Sequence, residues 1–549
     1  VLLAQHRRKP DKKLLHALNL TLDRMARGGI YDHLGGGFHR YSVDEQWLVP
    51  HFEKMLYDQA QLAWIYLDAC RETGNAEHRR IGVETLRFAL RELRDPRGGF
   101  WSTLDADSPG KDGEREEGAY YLWTPAQVTA VLGPQDGALF NRVYGITEKG
   151  NFEGRSIPNL LAKPLDGWAK ELKTSPEAFR ARLDGLRRKL AVARNARPRP
   201  PLDDKVLASW NGLMIRALAL AYEVTGDAAY RKAAEDAATF VLAHMRADAA
   251  PKPEKEAEET MHPRRLVHSY RAGATQPQAF LEDYSFMITG LLELYRATRA
   301  PRWLEEAQAL TRIMVADFWD EDSGRFYSTP HHHEALIARS TGAEDGAMPS
   351  GQSMAAVALV RLARLTGDPA VRDRAVRLLD TYTTDMKRFP EAIPTMLLAA
   401  FHHFDPADEL PGRAEDPVRI VLEAPGTAPR PGADLDLKLR LSVQNGWHIG
   451  AAEGDGVVGT SITLAPGPFQ LTSHRLPTPK LFKTEFAAKP LKVYEGEILV
   501  PLKVRALPGA EKASEIRVRV RYQACNQQVC RRPAEVTVTA ALPGQKGRE

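Results

Sequence analysis

Three cysteines in 549 residues are too few for a disulfide-stapled scaffold. Cys70 stands alone, whereas Cys525 and Cys530 lie five apart near the far end. No apolar run approaches the roughly 20 residues that a bilayer requires, and no signal-peptide pattern opens the chain. Val1 stands first instead of methionine, which leaves room for an upstream segment. Charge of one sign is missing too. The 75 basic and 71 acidic residues leave +4, too weak and dispersed a balance for a nucleic-acid surface. With 43% hydrophobic and 27% charged residues, the chain reads as soluble globular protein, cytoplasmic or periplasmic. Its length calls for at least two cores.

What is present is concentrated at Gly35–Asp58, GGGFHRYSVDEQWLVPHFEKMLYD. Three glycines, two histidines, several carboxylates and several aromatics share one loop-to-helix junction. Pro50 predicts a first helical turn, with an apolar helix following at Phe52, Met55, Leu56 and Leu62. His51 and Glu53 would then flank a helix N-terminus, where free N–H groups favour anions. The glycines lack the strand context of a phosphate loop.

Residues 1–404 read as repeating helices. Small-residue-rich apolar helices at 50–73, 205–225, 281–298, 349–366 and 390–404 alternate with more charged ones at 11–28, 76–94, 175–195, 227–247, 301–318 and 368–388. Three apolar helices end in Thr-Gly, at Gly74, Gly226 and Gly367, where glycine supplies the left-handed stop. A short irregular segment from about 124 completes six inner and six outer helices, which predicts an (α/α)6 barrel. Residues 405–416 read as a linker. Over 417–542 the alternation has period two, as in Leu435, Leu437, Leu439 and Leu441, and predicts a β-sandwich. A frayed tail follows at 543–549.

If the inner helices start at one end, the loops before them share one mouth. Those loops carry His39, Arg40, Asp44, Trp47, His51 and Glu53, then Asp105, Asp107, Glu117 and Trp123. Asp204, Lys205, Trp210 and Asn211 follow, then Asp283, Tyr284 and Asp345. Carboxylates, histidines and stacking aromatics around a cavity form a sugar-binding inventory, and paired acids can transfer protons. His39 or His51 is the expected acid–base group, with Asp107 and Asp283 as carboxylate partners. Acids before helices are also ordinary caps, and Asp203, Asp283 and Asp345 suit that role. His331-His332-His333 is read as a solvated turn, because adjacent residues rarely face one ion. Neither a metal nor a cofactor is called for. Cys525 and Cys530 bracket a hairpin-sized loop whose facing positions lie within disulfide reach. So small a loop gains little stability from a bridge, which favours redox exchange over two free thiols or an inert staple.

Arg24–Leu62 (RMARGGIYDHLGGGFHRYSVDEQWLVPHFEKMLYDQAQL) resembles the thioredoxin-domain-containing family that includes the mammalian spermatogenesis-associated thioredoxin-like protein. The resemblance continues in GGFWSTLDADS (Gly98–Ser108), EGAYYLWT (Glu117–Thr124), DDKVLASWNGLMI (Asp203–Ile215), LEDYSFMITGLLELY (Leu281–Tyr295) and DGAMPSGQS (Asp345–Ser353). Gln352 departs from the family's asparagine. The resemblance implies a six-hairpin glycosidase-type barrel, similar to those of sugar 2-epimerases and glycoside hydrolases, with a sugar-like pocket. The family's N-terminal thioredoxin-like domain has no counterpart in these residues. NGWHIGA (Asn445–Ala451), the Pro477/Pro479 pair and YQACNQQVCRRP (Tyr522–Pro533) resemble the N-terminal domain of the thiol:disulfide interchange protein DsbD. That implies an immunoglobulin-like sandwich in which Cys525 and Cys530 relay electrons. Two functions are therefore expected to compete. One is a sugar-acting barrel, of epimerase, isomerase or hydrolase type, coupled to thiol exchange. The other is a redox protein whose barrel is a scaffold or glycan-binding module. The implied partners are a sugar-like small molecule and a thioredoxin-like protein or upstream domain.

Overall fold

A computed structural model describes residues 1–110, 113–247, 264–276, 278–334, 336–404, 418–423, 428–451, 458–482, 490–513, 515–526 and 533–542. Two compact units divide at Ala414/Glu415. The expected linker 405–416 and tail 543–549 lie outside the described residues, as does Cys530.

The first unit is built of helices: α1 (Leu2–Arg8), α2 (Lys12–Arg27), α3 (Leu56–Thr73), α4 (Ala76–Glu92), α5 (Pro125–Leu132), α6 (Pro134–Val143), α7 (Leu165–Glu171) and α8 (Pro176–Arg194). They continue as α9 (Ala208–Thr225), α10 (Ala228–His244), α11 (Leu281–Thr298), α12 (Pro301–Phe318), α13 (Gly351–Thr366), α14 (Pro369–Thr381), α15 (Thr383–Arg388) and α16 (Pro394–Phe404). The Thr-Gly stops act as read: Gly74, Gly226 and Gly367 have φ of 69°, 76° and 70° and cap α3, α9 and α13,.

Six helices, α1, α3, α9, α11, α13 and α16, surround one internal cavity. They run parallel. Tyr57 meets Trp210 near the starts of α3 and α9, with ring centroids 4.8 Å apart, and Arg71 meets Glu223 near their ends at 3.3 Å. Backbones touch where side chains vanish. A Cβ on Gly212 would lie 2.5 Å from the Phe286 carbonyl carbon, and one on Gly290 would lie 2.5 Å from the Gly212 oxygen.

The inner ring differs from the sequence expectation at one position. The segment from 124 is not an inner helix, since α3 packs directly on α9. Helices α5–α8 instead build a separate core around Trp123, Phe140, Trp168 and Phe179. Their buried apolar side chains pack on one another. Helix α8, expected as an outer helix, belongs to this flank and is tied to α4 by Arg187–Glu84 at 2.9 Å. The sixth inner position is taken by α1, whose seven residues are too short to show a period.

The junction at 50–55 also differs. Pro50 opens no helix; Ser42↔Pro50 and Tyr41↔His51 pair as an antiparallel ladder, and α3 starts only at Leu56. Lys54 and Met55 pair with Leu104 and Thr103, so extended backbone wins over the Pro50 signal. The three glycines serve the backbone: Gly36 and Gly37 have φ of 76° and 78°, and a Cβ on Gly35 would strike the Arg194 guanidinium at 2.2 Å. Behind that loop Asp32 binds Lys54 and Arg194, each at 2.8 Å.

The second unit is antiparallel β-structure: β1 (Val418–Glu423), β2 (Asp434–Val443), β3 (His448–Gly450), β4 (Ser461–Leu464), β5 (Phe469–His474), β6 (Lys480–Phe482), β7 (Leu491–Tyr494), β8 (Glu497–Ala506), β9 (Glu515–Tyr522), β10 (Ala524–Cys525) and β11 (Ala534–Ala541). Its sheets have the orders β1-β2-β8-β5, β6-β7-β3-β10 and β4-β9-β11. The alternating leucines of β2 point inward with Val500, Leu502, Val518 and Val520. Among the described residues no helix is long and apolar enough to cross a membrane.

Candidate functional site

Short ladders stitch the loops before the inner helices into one rim. Residues 54–55 pair with 103–104, which pair with 202–203. Residues 206–207 pair with 269–270, and the His268 carbonyl accepts from Ala208 N–H at 3.0 Å, at the start of α9. Segments far apart in sequence thereby meet at the N-terminal ends of α3, α9 and α11.

One cluster sits at the start of α3. His51 Nδ1 lies 2.8 Å from Glu117 and its Nε2 lies 3.3 Å from Glu53. Tyr41 stacks on the imidazole with centroids 5.1 Å apart. Arg40 binds Glu53 at 2.9 Å and donates to the Tyr57 hydroxyl at 3.2 Å. Beside them Asp58 is half-buried, and its buried Oδ2 has no hydrogen-bond partner among the described residues. Burial pushes Asp58 up to about 8, with nearby Arg40 pulling it down and Glu53 adding to the rise,. It is therefore largely protonated at neutral pH, the state of a general acid.

A second cluster opens α11. His268 Nδ1 lies 2.9 Å from the fully buried Asp283 carboxylate. Asp283 also accepts from Ser209 N–H at 3.1 Å and Phe280 N–H at 2.9 Å. Burial opposes the His268 charge, but the hydrogen bond and charge of Asp283 prevail and raise its pKa. Burial raises the neighbouring Glu282 carboxyl, and the Asp283 charge adds to it. Trp210, half-buried, stands between the clusters, with Tyr57 on one side and Ser209 beside Asp283.

The expected site residues therefore separate. His51, Glu53, Arg40, Glu117, Trp210 and Asp283 lie in the two clusters. Asp107 faces Glu117 in a short ladder, and Arg115 reaches Asp105 at 2.6 Å and Asp107 at 3.5 Å. Lys205 binds Asp203 at 3.1 Å and Arg271 binds Asp204 at 2.6 Å, both exposed on the rim. His39 is withdrawn. It is buried against Phe52, its Nδ1 2.9 Å from the Phe52 carbonyl oxygen, and burial with Lys54 nearby lowers it to about 3. Other expected residues hold the scaffold. Asp44 accepts three backbone N–H groups of its own turn, and Trp47 packs on Gly28 with φ of 65°. Trp123 is buried in the flank with Arg197 over its ring. Asn211 binds both backbone groups of Phe100, and the Tyr284 hydroxyl accepts from Leu266 N–H. Asp345 accepts from Ser350 and Thr395 N–H, tying the starts of α13 and α16.

The pairing also differs from expectation: the carboxylates of His51 are Glu117 and Glu53, and the histidine of Asp283 is His268. Asp58 and His268 escaped the sequence reading. Asp58 offered one signal, an acid in the first turn of an otherwise apolar inner helix. His268 offered none, because only the ladder to 206–207 brings it to the rim.

In the second unit Cys525 is disulfide-bonded and fully buried. It pairs in register with His448, and Phe482 packs over both, with its ring 4.1 Å from the His448 centroid.

Residues 207–388 match the family model described as N-acylglucosamine 2-epimerase, and residues 422–542 match the N-terminal model of thiol:disulfide interchange protein DsbD. Human spermatogenesis-associated protein 20 is 38% identical over 404 residues, covering 69% of this chain and 50% of that protein. The chain is a homologue of spermatogenesis-associated protein 20. It spans about half the length of that curated relative. The resemblances read from Arg24–Ser353 and Asn445–Pro533 are thus borne out. Cellobiose 2-epimerase from Spirochaeta thermophila DSM 6192 superposes with a TM-score of 0.39 at 13% identity, covering 69% of this chain and 73% of that one. The reduced DsbD N-terminal domain of Neisseria meningitidis gives 0.18 at 18% identity, covering 25% and 99%.

Proposed function

We propose that this homologue of spermatogenesis-associated protein 20 transfers protons on a sugar or sugar-like polyol at the barrel mouth, as an epimerase or isomerase. The observation that carries this reading is the His268–Asp283 pair beside Glu282, at a rim that also holds His51–Glu117 and a protonated Asp58. Within it burial raises the Asp58 and Glu282 carboxyls, and Asp283 raises His268 against its burial, which holds proton donors ready beside the pocket,. One histidine removes the proton next to a sugar carbonyl while Asp58 or Glu282 donates one to the carbonyl oxygen. The other histidine then returns a proton to the carbon as the carboxylate takes back the oxygen's proton, and water resets the two histidines. Each turnover removes and returns one proton, so no oxidant or co-reactant is required. Trp210 supplies the apolar face for the ring. The match of 207–388 to a 2-epimerase family model supports this reading, since Trp210, His268 and Asp283 fall inside it.

The test is incubation with a panel of aldoses and disaccharides in deuterated water, followed by proton NMR. Exchange at the carbon next to the carbonyl, lost in His268→Ala, is the expected result. Released reducing ends without exchange would make the protein a hydrolase. Binding without either reaction would leave a glycan-binding module and end the catalytic reading.

A second reading rests on Cys525. Its disulfide, set in a unit that matches the DsbD N-terminal model, supports a thiol–disulfide exchange module with an immunoglobulin-like sandwich, serving a thioredoxin-like partner. Cys530 is its proposed redox partner. Thiol titration before and after mild reduction tests this; a bridge that resists reduction until the unit unfolds would mark it as structural.

A further inference from the structure

At the base of the barrel, where the inner helices end, basic and acidic side chains pack together around the cavity. Arg7 binds Asp68 at 2.8 Å and Glu72 at 3.1 Å. Arg71 binds Asp68 at 2.8 Å and Glu223 at 3.3 Å. Arg296 joins Glu223 to Glu293, and Arg361 binds Glu293 at 2.8 Å. In this belt four arginines alternate with four carboxylates, each arginine held by at least one of them.

Arg216 projects from the middle of α9 into the same cavity and has no carboxylate of its own. Among the described residues it forms no ion pair or hydrogen bond; its guanidinium lies over the Trp64 ring, 4.1 Å from the centroid. The Nε atom is buried without a partner. Burial lowers Arg216 to about 10, with Glu293 and Asp68 opposing the fall and Arg361 and Arg296 adding to it, so it remains charged at neutral pH. An unmatched charge in such surroundings costs stability. The cavity in front of it measures about 70 Å³, room for several waters or a small anionic group.

We propose that Arg216 is the receptor for one carboxylate group, so that the barrel accepts a sugar acid in preference to a neutral sugar. The proposal rests on the reading of the barrel as the sugar-binding unit, extends it from the mouth to the cavity at the base, and adds the substrate's charge. One uncompensated positive charge matches one negative charge, and the planar guanidinium offers two parallel donors to a carboxylate. A phosphate dianion would leave a negative charge unmatched among Glu293, Asp68 and their neighbours.

Isothermal titration of the chain with D-glucuronate, D-glucose, acetate and inorganic phosphate, at matched ionic strength, is the test. Glucuronate should bind about 10- to 100-fold more tightly than glucose, and acetate should bind measurably without any sugar ring. Arg216→Met should erase the preference for glucuronate and raise the melting temperature, because an unmatched buried charge is gone. Arg216→Lys should retain part of the preference, which guards against misfolding of the methionine variant. Unchanged glucuronate binding in Arg216→Met, no binding of either carboxylate, or tighter binding of phosphate would each overturn the proposal. His51→Ala separates the two readings: it should abolish turnover while acetate still binds at Arg216, whereas turnover of neutral sugars only, without carboxylate binding, sinks the anion site and leaves the mouth standing.

Discussion

His268 and Asp283 meet at 2.9 Å across the loop that leads into α11, and the carboxylate of the pair is fully buried. Asp283 does more than cap its helix. It carries the charge that keeps His268 protonated to higher pH than the ordinary 6.5.

Asp283→Asn should therefore lower the His268 pKa, because burial then acts unopposed; a histidine-resolved NMR titration measures it. In the native chain the raised pKa contributes stability that is fully present below about 6.5 and lost as pH rises through the higher folded value. The variant should consequently be most destabilised at acid pH. The weakened hydrogen bonds from Ser209 and Phe280 add about 1–3 kcal/mol at any pH.

Asp58 has the opposite consequence. With an ordinary value of 3.8 and a folded value of about 8, its ionisation opposes folding increasingly across that window. Asp58→Asn should leave stability unchanged near pH 3.5 and raise it by about 1–3 kcal/mol at pH 8, after relaxation of the neighbours. Turnover should fall by about 100-fold or more if Asp58 is the acid. In the native protein activity should decline as pH rises through about 8.

His51→Ala and Glu117→Gln should separate chemistry from stability. The pair is half-exposed, with side-chain exposures of 28% and 41%, so its loss should change unfolding free energy by less than about 1 kcal/mol. Either substitution should cut turnover by about 100-fold or more. A large drop in melting temperature with intact turnover would reverse that assignment.

Gly212→Ala tests the helix contact beneath the mouth. A Cβ there falls 2.5 Å from Phe286 backbone, so α9 and α11 must move apart. Urea unfolding should show a loss of about 1–3 kcal/mol, and His268–Asp283 should lose activity with it.

Phe482→Ala tests the thiol module. Phe482 lies over His448 and packs against the buried Cys525. Removing the ring should speed reduction of the Cys525 disulfide by a small dithiol while the unit stays folded. An unchanged rate would mean that Phe482 is packing alone.

Local signals carried much of the architecture. The Thr-Gly stops, the small-residue inner helices and the period-two leucines of β2 were legible because each depends on neighbours within a few residues. The misreadings share a cause. Pro50 looks like a helix start until residues 41–42 and 103–104 are placed beside 50–55. The segment from 124 looks like a ring member until α6 and α8 absorb its apolar face, and α1 is too short to announce itself.

The chemistry divides in the same way. Sequence alone determined which groups are available: the histidines, acids and tryptophan of the mouth loops, and the cysteine pair at the far end. Only the tertiary structure decided which of them lie together, since His39 and His51 are both loop histidines twelve residues apart in one motif. One is sealed behind Phe52 and held neutral, while the other reaches Glu117. Burial and charge neighbours set a side chain's protonation and reach, and both come from segments distant in the chain. Arg216 is the clearest case: on paper it is one more arginine in an apolar helix, and its unmatched charge exists only once the other eight ionised groups have paired.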